Sequence, residues 1–416
     1  MRYPEFLRPG GTIGFIAPSF GCTTEPYVSC FEAALRRFRD MGYRTVTGPN
    51  CYLAEGVGKS NTPEACGAEI NEFFIDRAGG PAGVDNGRDS VDNGKGGSVD
   101  VIISCGGGET MCENLPYVDF EGIAKASPRW FMGYSDNTNL TFTLPVLCDT
   151  AAIYGPNAPS FGMGNLHTSL DDAFLLLTGE KLAFRGYDAW EKNSLKTPDN
   201  PFAEYNLTEP SVTRVFCEKD GQYEMLSGGN ISFSGRLIGG CLDCLSVLCG
   251  TKFDKMSDFH ERYRDDGFVW FLEACDLGAM GIRRALWQLR ESGWFRGVSG
   301  FIFGRPLMLA LGDDPEGLQE AVLAPLRCLG VPIVFDADIG HTAPSMPLIS
   351  GAYAEVSFCA EGNEGAGAEG CAEGAAAGNS NDGGAAGAGR LGRGCAEAAA
   401  EVVASCGRLT VRHKLI

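Results

Sequence analysis

Ser135, Glu273 and His341 are the residues of this 416-residue chain whose types and settings point to nucleophilic chemistry. Ser135 sits in Gly133-Tyr134-Ser135-Asp136, after the apolar Trp130-Phe131-Met132 and before a polar segment suited to start a helix. A serine on a sharp strand-to-helix turn projects its hydroxyl from the sheet edge, and the N–H that follows it can point at a developing oxyanion. The pattern departs from the general nucleophile elbow, because Asn137 stands where its last glycine would be. A serine that only caps a helix is the ordinary alternative.

The chain has four histidines, which narrows the search for a base. His167 falls in a loosely patterned stretch, His260 in the charged Asp258-Phe259-His260-Glu261-Arg262, and His413 beside Lys414. His341 follows a strand and a glycine and precedes Thr342-Ala343-Pro344, so it sits on the kind of loop that carries catalytic groups. Its bland reading is a histidine bonded to backbone. Glu273 closes the apolar run 268–272, where an unpartnered charge is costly. Either it pairs with Arg283 or Arg284, or it orients an imidazole. The order Ser, Glu, His also occurs among α/β-hydrolases.

Elements must bring these residues together. Residues 11–17 read as a buried first strand ending at Pro18-Ser19. Val28, Phe31, Leu35 and Phe38 recur at helical spacing over 26–41, with Gly42 as the cap, and 43–46 reads as the second strand. Thr62-Pro63-Glu64 opens a second helix with an N-cap and a proline at the first position. A strand over 99–104 delivers Cys105-Gly106-Gly107-Gly108-Glu109 at its C-terminal end, where parallel sheets bind ligands. Strands alternating with helices up to about 157 predict a doubly wound α/β unit. The chain then divides into 1–158, a connecting segment over 159–232 that includes Trp190, and 233–416. The last part carries strands over 267–273, 298–303, 331–335, 352–359 and 408–414, with a helix over 282–289. Two low-complexity stretches, 78–98 and 361–400, read as inserted loops that bury too little apolar surface to order.

Composition excludes several classes. A formal net charge of −19 argues against a nucleic-acid partner. No apolar run reaches the length of a membrane span, and Met1-Arg2-Tyr3-Pro4-Glu5 lacks a signal-peptide core, so a cytoplasmic, membrane-free protein is expected. The seventeen cysteines are odd in number and scattered. Cys105, Cys148, Cys244 and Cys249 have apolar neighbours and read as small hydrophobes. Cys241-Leu242-Asp243-Cys244 has no second pair to match it, so no zinc site is expected. Neither Gly10-Gly11-Thr12-Ile13-Gly14 nor the 106–108 glycines fit a dinucleotide fingerprint, and no phosphate-binding lysine loop is present.

Together these segments resemble the LD-carboxypeptidase family of serine peptidases, which includes muramoyltetrapeptide carboxypeptidases and microcin C self-immunity proteins. The resemblance is carried by Gly11-Thr12-Ile13-Gly14-Phe15-Ile16-Ala17-Pro18-Ser19, Gly106-Gly107, Gly133-Tyr134-Ser135-Asp136, Gly235-Arg236-Leu237-Ile238-Gly239-Gly240, Phe271-Leu272-Glu273 and Gly340-His341-Thr342. It implies a Rossmann-like N-terminal domain with a parallel sheet and a smaller β-rich C-terminal domain, often as a homodimer, with no metal or organic cofactor. It also implies Ser135 as nucleophile, His341 as base and Glu273 as its orienting acid. Backbone N–H groups of Asp136 and Gly107 are expected to hold the oxyanion. Glu109 is a candidate for a substrate ammonium group and Trp190 for a nucleobase; a solvated loop acid and a packing aromatic are the alternatives. The implied substrate is a murein-type peptide or, in the other branch, a peptidyl or aminoacyl nucleotide. A non-enzymatic binding protein on the same scaffold is the third reading. Cys241 departs from the pattern, which usually has asparagine after the paired glycines, and Ala274-Cys275-Asp276 replaces the usual acid after the glutamate.

Overall fold

Short apolar runs buried on both faces can only be strands covered by helices on each side. The computed structural model, which describes residues 1–55, 57–75, 99–310, 315–359 and 407–416, arranges them so. In chain order the first half contains β1 (Thr12–Ile16), α1 (Tyr27–Asp40), β2 (Arg44–Thr47), α2 (Pro63–Phe74), β3 (Val101–Ser104), α3 (Phe120–Lys125), β4 (Trp130–Gly133), α4 (Thr138–Cys148), β5 (Ala152–Tyr154) and α5 (Thr168–Leu177). The five strands pair in parallel in the order 5-4-3-1-2. β1, β3 and β4 are buried along their whole length. The Thr62 side chain accepts the Ala65 N–H at 3.3 Å and so caps α2, as its sequence predicts.

The second half continues with β6 (Ala183–Arg185), β7 (Ala189–Glu191), β8 (Leu207–Pro210), β9 (Arg214–Lys219), β10 (Gln222–Met225), β11 (Asn230–Cys241) and α6 (Leu242–Leu248). Then follow α7 (Met256–Arg262), β12 (Phe268–Glu273), α8 (Ala279–Glu291), β13 (Val298–Gly304), α9 (Leu307–Ala310), α10 (Pro315–Leu326), β14 (Ile333–Ala337), β15 (Leu348–Ser350), β16 (Tyr353–Cys359) and β17 (Arg408–Lys414). Among the described residues these build a nine-stranded sheet in the order 10-9-14-13-12-11-16-17-6. Its centre, β11 to β14, is parallel, and antiparallel strands flank it. β15 instead pairs antiparallel with β5, on the edge of the first sheet.

One outcome differs from expectation. The segment 159–232 is structured: it supplies α5, the two-stranded β7–β8 sheet, and β6, β9 and β10 of the large sheet. Its strands are only three to six residues long and have few buried positions, so they offer too few residues for an alternation to show. On the second sheet, α6, α8 and α10 pack through Leu245, Leu286 and Val322 in a cluster with Trp270 of β12. The expected loops at 78–98 and 361–400 lie outside the described residues.

The sheets share a core. Phe15, Trp130, Ile153 and Tyr154 of the first pack in one cluster with Leu237, Val269, Phe271 and Val334 of the second. The Tyr154 and Phe271 rings lie 5.3 Å apart. This contact brings the C-terminal ends of β4 and β5 against those of β11 and β12. No helix among the described residues is long and apolar enough to cross a membrane.

Candidate active site

Ser135 follows the end of β4 with φ +67, a left-handed conformation that a non-glycine residue avoids unless its surroundings impose it. Two anchors impose it here. The buried Asn137 side chain donates to the Gly106 carbonyl at 2.8 Å, to that of Tyr134 at 3.0 Å and to Asn157 Oδ1 at 3.2 Å. The Asp136 carboxylate, also buried, accepts from Ser19 Oγ at 2.6 Å, the Met111 N–H at 2.9 Å and Asn139 Nδ2 at 3.0 Å. Asn137, which looked like a defect in the motif, therefore ties the serine turn to the glycine turn after β3. That glycine turn passes so close that a Cβ on Gly107 would lie 2.7 Å from Ser135 Oγ.

Glu273 ends β12 with no exposed surface, and His341 follows β14 on a loop. His341 Nε2 lies 2.8 Å from Ser135 Oγ, and its Nδ1 lies 2.8 Å from Glu273 Oε2. An ionised carboxylate only accepts, so the imidazole proton sits on Nδ1 and Nε2 is left to accept from the serine. The second carboxylate oxygen, Oε1, accepts from Tyr154 Oη at 2.5 Å. Gly340, at φ +91, leaves room for this carboxylate: a Cβ there would meet Glu273 Cγ at 2.5 Å.

Burial works against the charge on both members of this pair, and their mutual attraction outweighs it. Burial alone would lower the His341 pKa, yet the Glu273 carboxylate holds it well above the usual histidine value. Burial would raise that of Glu273, and the facing imidazole holds it below the usual carboxylate range. Burial first, and Glu273 second, push the Tyr154 phenol well up, so it stays a donor. Arg283 reaches Glu320 at 3.8 Å, so the Glu273 partner is His341 and not an arginine.

The His341 loop is braced from beneath. Arg305, buried, donates to the Asp336 carbonyl at 2.6 Å and pairs with Asp338, whose carboxylate also accepts the Tyr187 N–H at 2.7 Å. Trp190 lies against the Arg305 guanidinium, 5.3 Å from ring centre to Cζ.

A family model of the LD-carboxypeptidase N-terminal domain matches residues 94–155, which contain Ser135, and one of the C-terminal domain matches 234–356, which contain Glu273 and His341. Both domains of the LD-carboxypeptidase family are thus recognised in the chain. Its relatives include the microcin C7 self-immunity protein MccF of Escherichia coli, 24% identical over 358 residues that cover 85% of this chain and 92% of that one. A probable murein peptide carboxypeptidase of Bacillus subtilis is 23% identical over 361 residues, covering 84% and 90%. In structure, an MccF-like protein from Bacillus anthracis superimposes with a TM-score of 0.66 at 21% identity, covering 86% of this chain and 96% of that one.

A cavity of about 180 Å³ opens beside Ser135. Glu109, Asp136, Asp243 and Asp276 line it, and no lysine or arginine does. Burial first, then the neighbouring carboxylates of Asp276, Asp136 and Asp243, raise the Glu109 pKa. Trp190 is not among the lining residues. Four thiols are: Cys112, Cys241, Cys244 and Cys275. Cys244 is thus no hydrophobe, since its Sγ lies 3.7 Å from the Ser135 carbonyl oxygen and 3.8 Å from Asp136 Oδ1. Tyr154 and Arg305 went unnoticed in the sequence, and Asn137 stood out there only as a departure from the motif. Tyr154 had a signal, a phenol at the end of the apolar Ala152-Ile153 and next to Gly155-Pro156; Arg305 had none.

Proposed function

We propose that this protein hydrolyses an amide bond at a Ser135–His341–Glu273 triad and releases a terminal residue from a murein-type peptide. The observation that carries the reading is the unbroken series of 2.8 Å contacts from Ser135 Oγ through the imidazole to Glu273. His341 Nε2 takes the hydroxyl proton as Oγ attacks the carbonyl carbon, then returns it to the leaving amine; water releases the acyl group by the same route. Glu273 holds the ring tautomer and stabilises the imidazolium formed on attack.

The N–H groups of Asp136 and Gly107 are the oxyanion donors in this reading. Neither donates to a protein acceptor among the described residues, and both flank Ser135. Fixed backbone donors cost little reorganisation as charge develops.

Four carboxylates without a lysine or arginine favour a substrate that brings a cationic group, as an amine-bearing peptide does, with Glu109 receiving it. The second reading, hydrolysis of an aminoacyl nucleotide, draws on the likeness to MccF, of which one solved structure holds aspartyl sulfamoyl adenosine. Trp190, packed on Arg305, supplies a nucleobase platform only if that contact opens.

Incubation with a murein tetrapeptide and, separately, an aminoacyl-sulfamoyl adenosine, with products weighed by mass spectrometry, decides between them. Loss of one terminal residue from the tetrapeptide, absent with Ser135→Ala, is expected. Cleavage of the nucleotide alone would replace the first reading with the second, and product from neither would leave a binding protein.

A further inference from the structure

We propose that Cys241, Glu273 and His341 form a binding site for one thiophilic divalent cation, of which Zn²⁺ is the type, and that filling it switches the triad off. Cys241 Sγ, a Glu273 carboxylate oxygen and a His341 ring nitrogen all lie within 4.8 Å of one another. Bonds of about 2.0–2.3 Å to tetrahedral zinc put donor atoms about 3.3–3.8 Å apart. The three are therefore already near a metal's spacing, and the 2.8 Å contact between Glu273 and Nδ1 must widen by only about half an ångström.

Backbone register holds two of these donors in place. Cys241 and Glu273 are direct partners at the ends of the parallel strands β11 and β12, so their side chains leave the sheet on the same side. Cys241 is 2% exposed, and its thiol faces polar groups, lying 3.2 Å from Asp243 Oδ2. The Cys244 thiol lines the cavity beside Ser135, outside the mutual spacing of these three donors. The same cavity, with its carboxylates and without a basic residue, leads a cation in from solvent.

Sulfur and imidazole donors select Zn²⁺ over Mg²⁺ or Ca²⁺, which prefer oxygen. On binding, the Cys241 S–H proton passes to solvent and the sulfur lone pair goes to the metal. Thiolate and carboxylate together balance its two charges. For Nδ1 to bind, its proton must leave and Nε2 must carry one instead. Nε2 then cannot accept the Ser135 proton, and Glu273, engaged with the metal, cannot stabilise an imidazolium.

The loss of activity rests on the triad reading; the binding does not. Full-length protein, chelator-stripped and kept reduced with a phosphine, is titrated with Zn²⁺ by calorimetry, and with Co²⁺ while the near-ultraviolet thiolate-to-metal band is followed. Wild type and Ser135→Ala are expected to bind one equivalent and to show the band. Cys241→Ser and Glu273→Gln, checked for folding by melting temperature, should each weaken binding at least about tenfold, and Cys241→Ser should abolish the band. Cys328→Ser, at an exposed cysteine away from the cavity, should change neither. Binding that survives Cys241→Ser with its band intact, or no binding by wild type, overturns the site. Binding that leaves wild-type hydrolysis unchanged overturns the switch alone, and hydrolysis that is never seen counts against the triad rather than the metal site.

Discussion

Gly107→Ala places a methyl group against the Ser135 side chain, the proposed nucleophile. Its Cβ would lie 2.7 Å from Ser135 Oγ and 2.8 Å from Ser135 Cβ, about 0.6–0.7 Å inside ordinary contact. Gly107 is not in the left-handed region, so alanine carries no backbone penalty there. The backbone N–H, a proposed oxyanion donor, is kept. The serine turn is pinned by Asn137 and Asp136, so the clash must be relieved at the Ser135 side chain or by retreat of the glycine turn. A shift of that size on Oγ takes its 2.8 Å contact with Nε2 to about 3.4 Å, past useful hydrogen bonding. Since about 1 Å of misplacement costs about 10²-fold, kcat should fall about 20- to 100-fold, or about 1.8–2.7 kcal/mol. The assay is turnover of the cleaved peptide together with labelling by a serine-reactive phosphonate. The melting temperature should drop by no more than about 4 °C. Turnover within twofold of wild type would refute the reasoning. So would a loss of activity matched by a large loss of stability, because the effect would then be on folding and not on the nucleophile.

Ser135→Ala and His341→Ala should each lower kcat by on the order of 10⁴-fold, and the double variant should be scarcely worse than either, because the residues act as a unit; additive losses in steady-state kinetics would count against the triad. The imidazole must be neutral to act as base, and Glu273 holds its pKa above the ordinary histidine value. The acid limb of kcat/KM in the wild type should therefore lie above the usual histidine range, and Glu273→Gln should move it down in a pH–rate profile as well as lowering the rate. Burial pushes the Glu69 carboxyl up to about 7 although the Asn50 and Ala17 N–H groups favour its charged form. A folded-state pKa raised above the unfolded value means that its contribution is full below about pH 4.5 and is lost as pH rises to about 7. The stability of wild type relative to Glu69→Gln, from denaturant melts, should fall across that window and stay flat above it.

What the sequence determined by itself is what depends on neighbours in the chain. Apolar runs ending in Gly133 and Glu273 could only be buried strands delivering polar residues at their ends, and Thr62-Pro63 could only open a helix. The serine, glutamate and histidine were legible because each ends such an element. Their meeting was not, since His341 lies 206 residues from Ser135 and 68 from Glu273, and no local pattern carries that distance. The strands within 159–232 were missed because each is three to six residues long with few buried positions, too short for an alternation to stand out.

Tertiary structure alone decided which of the remaining residues matter. Asn137 turned from a flaw in a motif into the tie between two turns, and Cys244 moved from the supposed core to the wall of the cavity. Cys241 came to face Glu273 because β11 and β12 run parallel in that register. The left-handed backbone of Ser135 belongs to the same class, since a serine adopts φ +67 only where packing on both sides leaves it no other course. Sequence determines elements through local sterics and hydrophobic period; the site arises where the ends of two sheets are pressed together by a core they share.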